Sequence, residues 1–192
     1  MTAFTEDSYY QQKFTKLSLT GELIKGVTFE DCVFEDCRFL DCSFEKSRFI
    51  SCRFNGCVIS APNLLSCRFN QPVFNGCKVI GIDWTRVTHL KEPEFHGCQL
   101  NYSNYRMLKI PKTKMLNCEA KEVEFTETDF TGAVFTGTDF AKSRFFKTNF
   151  AGADLRGAKN YSIDITNNNI SKAKFSYPDV VSLLDNLDII IE

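Results

Sequence analysis

Between residues 29 and 54 the chain places phenylalanine at every fifth position: Phe29, Phe34, Phe39, Phe44, Phe49 and Phe54. A period of five fits neither the 3.6 of an α-helix nor the 2 of a strand. It marks an internal repeat, and the repeat governs the fold before any local propensity does. Taking the large apolar residue as the centre of each pentad, centres run from Phe14 by fives to Trp84. They resume one residue out of phase at Leu90 and continue to Phe175, with Ala120 and Asn160 breaking the apolar rule. Of 19 Phe, all but Phe4 and Phe146 are centres; all 9 Cys fall two residues before a centre and all 10 Gly two residues after one.

Each placement has a physical cause. A bulky and a small side chain at fixed offsets both point into a narrow interior that must be filled closely. Glycine two places after the centre suits the third position of a type II turn, which needs positive φ. Every pentad is then a short extended piece plus a corner. Four corners close a square coil of about 20 residues, and successive coils hydrogen-bond at about 4.8 Å. Centres twenty apart stack, so Phe14, Phe34, Phe54 and Phe74 are expected in one column. At this point the chain resembles the pentapeptide-repeat family. The resemblance covers about residues 14–175 and implies an all-β fold, a right-handed quadrilateral β-helix.

Composition bounds what such a rod does. Net charge is −1, from 23 basic and 24 acidic residues, which argues against a nucleic-acid binder. No segment has the length of a membrane span and no signal peptide precedes Phe4, so no membrane partner and a cytoplasmic location are expected. Cysteine without a secretion signal reads as reduced thiol. The pentad spacing differs from C-x-x-C, so the cysteines read as small buried apolar filler, with neither metal nor cofactor. Cys37, Cys57, Cys77, Cys98 and Cys118 are expected in one column. His89 and His96 lie in different pentads, and no nucleophile–base motif or phosphate loop is present, so no enzymatic activity is expected.

Along the chain, residues 1–13 read as an N-terminal cap and 14–175 as the solenoid. Within the solenoid, 85–94 carries one inserted residue, a bulge or small loop. Such an irregularity is either a partner contact, through Arg86, His89, Lys91 and Glu92, or a tolerated insertion. Acids cluster in 119–139, as Glu119, Glu122, Glu124, Glu127, Asp129 and Asp139, with basic residues concentrated in 106–114. That cluster reads either as an acidic face imitating duplex phosphates or as ordinary solvated surface. Residues 176–192 read as a helix and a short strand. Ser176 and Asp179 form a capping box, and Val180, Leu183, Leu184 and Leu187 share one helix face. Leu183, Leu184, Leu187, Ile189, Ile190 and Ile191 are the expected homodimer interface.

The run 160–189 (NYSIDITNNNISKAKFSYPDVVSLLDNLDI) and Gly81–Trp84 resemble the albicidin-immunity and Qnr quinolone-resistance branch of the family. That resemblance implies a head-to-head dimer, a DNA-like shape, and binding to DNA gyrase or topoisomerase IV that relieves poisoning by a drug or toxin. The alternative reading is a regulatory or scaffold solenoid for an unrelated protein.

Overall fold

The computed structural model describes residues 3–187 and 189–190. The pentads wind into a parallel β solenoid with four walls, each identified by its inward centres. Wall I stacks Tyr9, Phe29, Phe49, Phe69 and Leu90; wall II stacks Phe14, Phe34, Phe54, Phe74, Phe95 and Met115. Wall III stacks Leu19, Phe39, Ile59 and Val79, and wall IV begins with Ile24 on Phe44. Register is twenty residues per coil and becomes 21 where Leu90 stacks on Phe69. In wall II, rings of adjacent coils stack almost face to face at 4.7–5.1 Å. Across corners, neighbouring rings meet edge-on, as Phe34 and Phe39 do at 5.9 Å. Alternating stacked and edge contacts match the ring quadrupoles.

The corners reveal why the coil closes. All ten glycines have φ between 59° and 73°, as expected, but among the described residues 21 non-glycine residues also adopt positive φ. All except Asn160 sit two places after a centre. The left-handed corner is therefore imposed by closure of the coil, and glycine is one of several residues that meet it. An L-residue there costs about 1–2 kcal/mol, which the inward burial of a Phe, about 1.5–3 kcal/mol, offsets. Asn160 marks a second irregularity. It takes the corner conformation where a centre is due, is itself exposed, and Tyr161 and Ile163 turn inward instead.

The small positions do more than fill space. Cys52, Cys57, Cys77 and Cys98 each donate Sγ–H to a centre carbonyl of the preceding coil at 3.3 Å. Further along, Thr128 and Thr148 make the same bond through Oγ1, at 2.8 and 2.9 Å. The reading of cysteine as purely apolar filler thus omitted its weak donor. Cys37, Cys57, Cys77, Cys98 and Cys118 do form one interior column, with Cys57 N–H donating to Cys77 Sγ and Cys77 N–H to Cys98 Sγ. All nine cysteines are free and buried, and burial pushes the Cys52 thiol up to about 12 and Cys67 to about 11. Thiol titration in native buffer is accordingly expected to find almost no reactive group, and denaturation to release all 9. A native count close to the full number would contradict a sealed interior.

Both ends differ from the sequence expectation. The coil begins within the segment read as a cap: Ser8–Tyr10 is already a strand, pairing with Thr28–Glu30. Phe4, outside the pentad register, closes the open end by packing edge-on against Phe29 at 5.0 Å and Phe14 at 5.4 Å. At the other end the expected helix is present as a 3-10 helix, Asp179–Leu184, but without the expected side-chain cap. Ser176 does not cap it, because its Oγ accepts from Gly157 N–H at 2.8 Å. The helix lies on the last coil through Leu183, which is buried, and through the Ser182 Oγ–H bond to Tyr161 O at 3.2 Å.

Candidate partner-binding surface

A non-enzymatic reading places function on outward residues, those immediately before and after each centre and at the corners. The six acids of 119–139 occupy one full coil and so are distributed around the rod. Glu119 and Asp139 lie on wall III, Glu124 on wall IV and Asp129 on wall I; Glu122 and Glu127 are corners. They form a belt and do not share a face. Lys121 sits between Glu119 and Asp139, 3.6 and 3.5 Å away. Burial alone would raise the Asp139 carboxyl; the Asn160 amide, the Ala141 N–H and Lys121 outweigh it and hold the carboxyl below its usual value. Glu124 accepts from Thr126 N–H, and its register neighbours in the adjacent coils are Asn104 and Arg144. Asp129 accepts from Thr131 N–H at 3.0 Å and from Asn149 Nδ2 at 3.0 Å. Basic residues follow in the next coil at Lys142, Arg144 and Lys147, so charge alternates along the axis.

The inserted residue is absorbed in a smaller space than 85–94. A single 3-10 turn, Trp84–Arg86, takes it up, held by the Asp83 carboxylate, which accepts from Thr85 N–H at 3.2 Å and Thr85 Oγ1 at 2.6 Å. Of the four proposed contact residues, only Arg86 belongs to that turn. His89 and Lys91 lie on the strand His89–Lys91, and Glu92 is the following corner, where it accepts from Gln71 Nε2 at 2.9 Å. Their outward column was not recognised in the sequence: Arg48, Arg68 and His89 are register partners on wall I. The signal was present as basic residues spaced by 20 and then 21.

Of the tail residues, Leu183 belongs to the protein's own core and Leu184 and Leu187 are half-buried. Ile189 is 53% and Ile190 89% exposed, an apolar pair facing solvent. Ile191 lies outside the described residues, as does most of the strand expected at 188–192.

Among the described residues no group of His, Cys, Asp and Glu is arranged to hold a metal ion. No helix among the described residues is long and apolar enough to cross a membrane. His96 and Lys114 both bond Glu94, at 3.1 and 2.7 Å, a half-exposed ion network of modest stability. The interior void beside Trp84 measures about 20 Å³ and is walled by Phe, Leu, Ile, Val and Trp side chains, which suits no polar ligand.

The profile described as "Pentapeptide repeat region" matches residues 27–105 and 47–125, and that described as "Pentapeptide repeats (8 copies)" matches 124–159. No curated protein matches the sequence. Among solved structures, full-length QnrB1, described as a plasmid-mediated fluoroquinolone resistance protein, superposes with a TM-score of 0.67 at 18% identity, covering 95% of this chain and 100% of that one. A trypsin-treated variant of QnrB1 gives 0.69 at 17% identity, covering 100% and 94%. At such identity the likeness concerns the fold.

Proposed function

This chain belongs to the pentapeptide repeat family, and on that premise we propose that it binds DNA gyrase or topoisomerase IV and protects it from a poison without catalysing a reaction. The observation that carries the reading is full-length structural likeness to QnrB1, whose described role is fluoroquinolone resistance. Dimensions agree with it. Wall II runs through nine rungs, at residues 13, 33, 53, 73, 94, 114, 134, 154 and 174. Eight steps of about 4.8 Å give a rod of about 38 Å, the length of about eleven base pairs at 3.4 Å each. Such a rod is long enough to occupy a duplex-binding groove. The test is supercoiling by purified gyrase with a fluoroquinolone or albicidin present, with and without this protein. Restored supercoiling is expected; unchanged inhibition at saturating protein contradicts the proposal.

In this reading the protein is a homodimer through its tail, with Ile189 and Ile190 leaving water on pairing. A chain ending at Tyr177 is expected to lose the dimer in light scattering. A persistent, well-behaved dimer would place the interface elsewhere.

One observation favours the second reading, a scaffold for an unrelated protein. The acids form a belt between basic belts, and a duplex presents phosphates without such alternation. Lack of gyrase binding at low salt would select this reading.

A further inference from the structure

The ladder of wall I is joined from Ser8 to Lys91 and again from Lys109 to Asn169, but not between these stretches. On wall IV, just before, Trp84 N–H donates to Asn104 O at 3.0 Å and Asn104 N–H to Ile82 O at 2.8 Å. On wall II, just after, Lys114 N–H donates to Pro93 O at 3.1 Å and Gly97 N–H to Leu116 O at 2.8 Å. Between them the register requires Leu90 N–H to meet Lys109 O, Glu92 N–H to meet Pro111 O, and Lys109 N–H to meet Thr88 O. None of the three bonds is made among the described residues. The cause is the inserted residue. Beyond the 3-10 turn the chain re-enters wall I late, with Thr88 donating to Cys67 O through both N–H and Oγ1.

We propose that this split in wall I is a docking site for an extended acidic segment of a partner protein, which pairs with the open edge of His89–Lys91. The inference stands apart from the identity of any topoisomerase partner. Three features carry it. First, an unpaired strand edge inside a wall offers main-chain donors and acceptors whose burial without partners is costly, and β-strand addition satisfies them. Second, the opening is a cleft of about 470 Å³ with an apolar side formed by Val87, Leu90, Leu108 and Ile110. Alternate apolar side chains of an added strand fit such a lining. Third, the rim is basic. Lys91 and Lys109 line the cleft, and Arg68 and Arg48 lie in register with His89 on the two coils before it. None of these four cations makes a salt bridge among the described residues. Glu92, the carboxylate in the lining, is engaged by Gln71. Charge complementarity of this kind selects an acidic partner and speeds its encounter.

The experiment titrates the full chain into a fluorescein-labelled Glu-Val-Glu-Val-Glu-Val peptide and follows anisotropy. The same residues reordered as Glu-Glu-Glu-Val-Val-Val and a twelve-base-pair duplex serve as competitors. Amide hydrogen exchange of Leu90 and Glu92 is followed with and without peptide. The alternating peptide is expected to bind, to slow exchange at both amides, and to bind roughly tenfold more weakly to a Lys91→Glu, Lys109→Glu variant. Lys16→Glu, in the first coil, is expected to bind as wild type does. Equal affinity for the reordered peptide or the duplex would reduce the site to a polyanion patch and overturn strand addition. Absence of binding, or binding with unchanged exchange at Leu90 and Glu92, would overturn it as well.

Discussion

Phe130→Ala is expected to destabilise the protein by about 3–5 kcal/mol, the range for emptying a close-packed aromatic site. Phe130 is fully buried. Its ring meets Phe125 edge-on at 5.3 Å and Phe135 at 5.0 Å, and stacks on Phe150 at 5.9 Å. Those rings are held by their own coils and cannot collapse into the void without moving corners fixed in the left-handed conformation. A solenoid contacts only its neighbours along the axis, so losing one rung also weakens the coupling between the two halves of the rod. Thr136→Ala, at an exposed position on the adjacent wall, is expected to change stability by no more than about 0.5 kcal/mol. Urea melts of the two variants read the difference directly; coincident midpoints would refute the inward assignment of the centres.

Ala120→Asp is the second large effect, again about 3–5 kcal/mol, because it leaves a carboxylate inside the coil without a cation. Ala120 is a fully buried centre, and the buried polar residues of the described interior are Ser, Thr and Asn. The introduced acid would have a folded-state pKa above its unfolded value of about 3.9. The native state then binds more protons than the unfolded one, so stability falls as pH rises. The deficit is therefore expected to be larger at pH 8 than at pH 5. Ala120→Asn, of similar size but uncharged, is expected to lack that slope; equal slopes for Asp and Asn would show that the position is solvated.

The pentad register was legible because three residue classes obey it at once: Phe at the centre, Cys before it, Gly after it. The stacked column Phe14–Phe34–Phe54–Phe74 follows from that register alone, and so does the cysteine column across the 21-residue step. What escaped were features in which distant groups compete. Ser176 was read as a helix cap from its neighbours in sequence, yet Gly157, nineteen residues back, claims its hydroxyl. Non-glycine corners were not foreseen because local preference disfavours them and only closure of the coil enforces them. The acids of 119–139 look like a patch when written in a line. Winding a line of twenty residues once around a square coil spreads its acids over three of the four walls and the corners between them. The split beside His89–Lys91 was the least legible of all, since it depends on where one extra residue is taken up and which ladder bonds that choice leaves unmade.

The most direct test of the account is whether purified gyrase binds this protein in competition with duplex DNA. Labelled protein is titrated with gyrase at low salt, and linear duplex is then added. Saturable binding, displacement by duplex, and weakening as salt screens the exposed charges are expected. Binding that duplex leaves untouched would contradict occupation of the DNA groove, and no binding at all would contradict the topoisomerase reading itself.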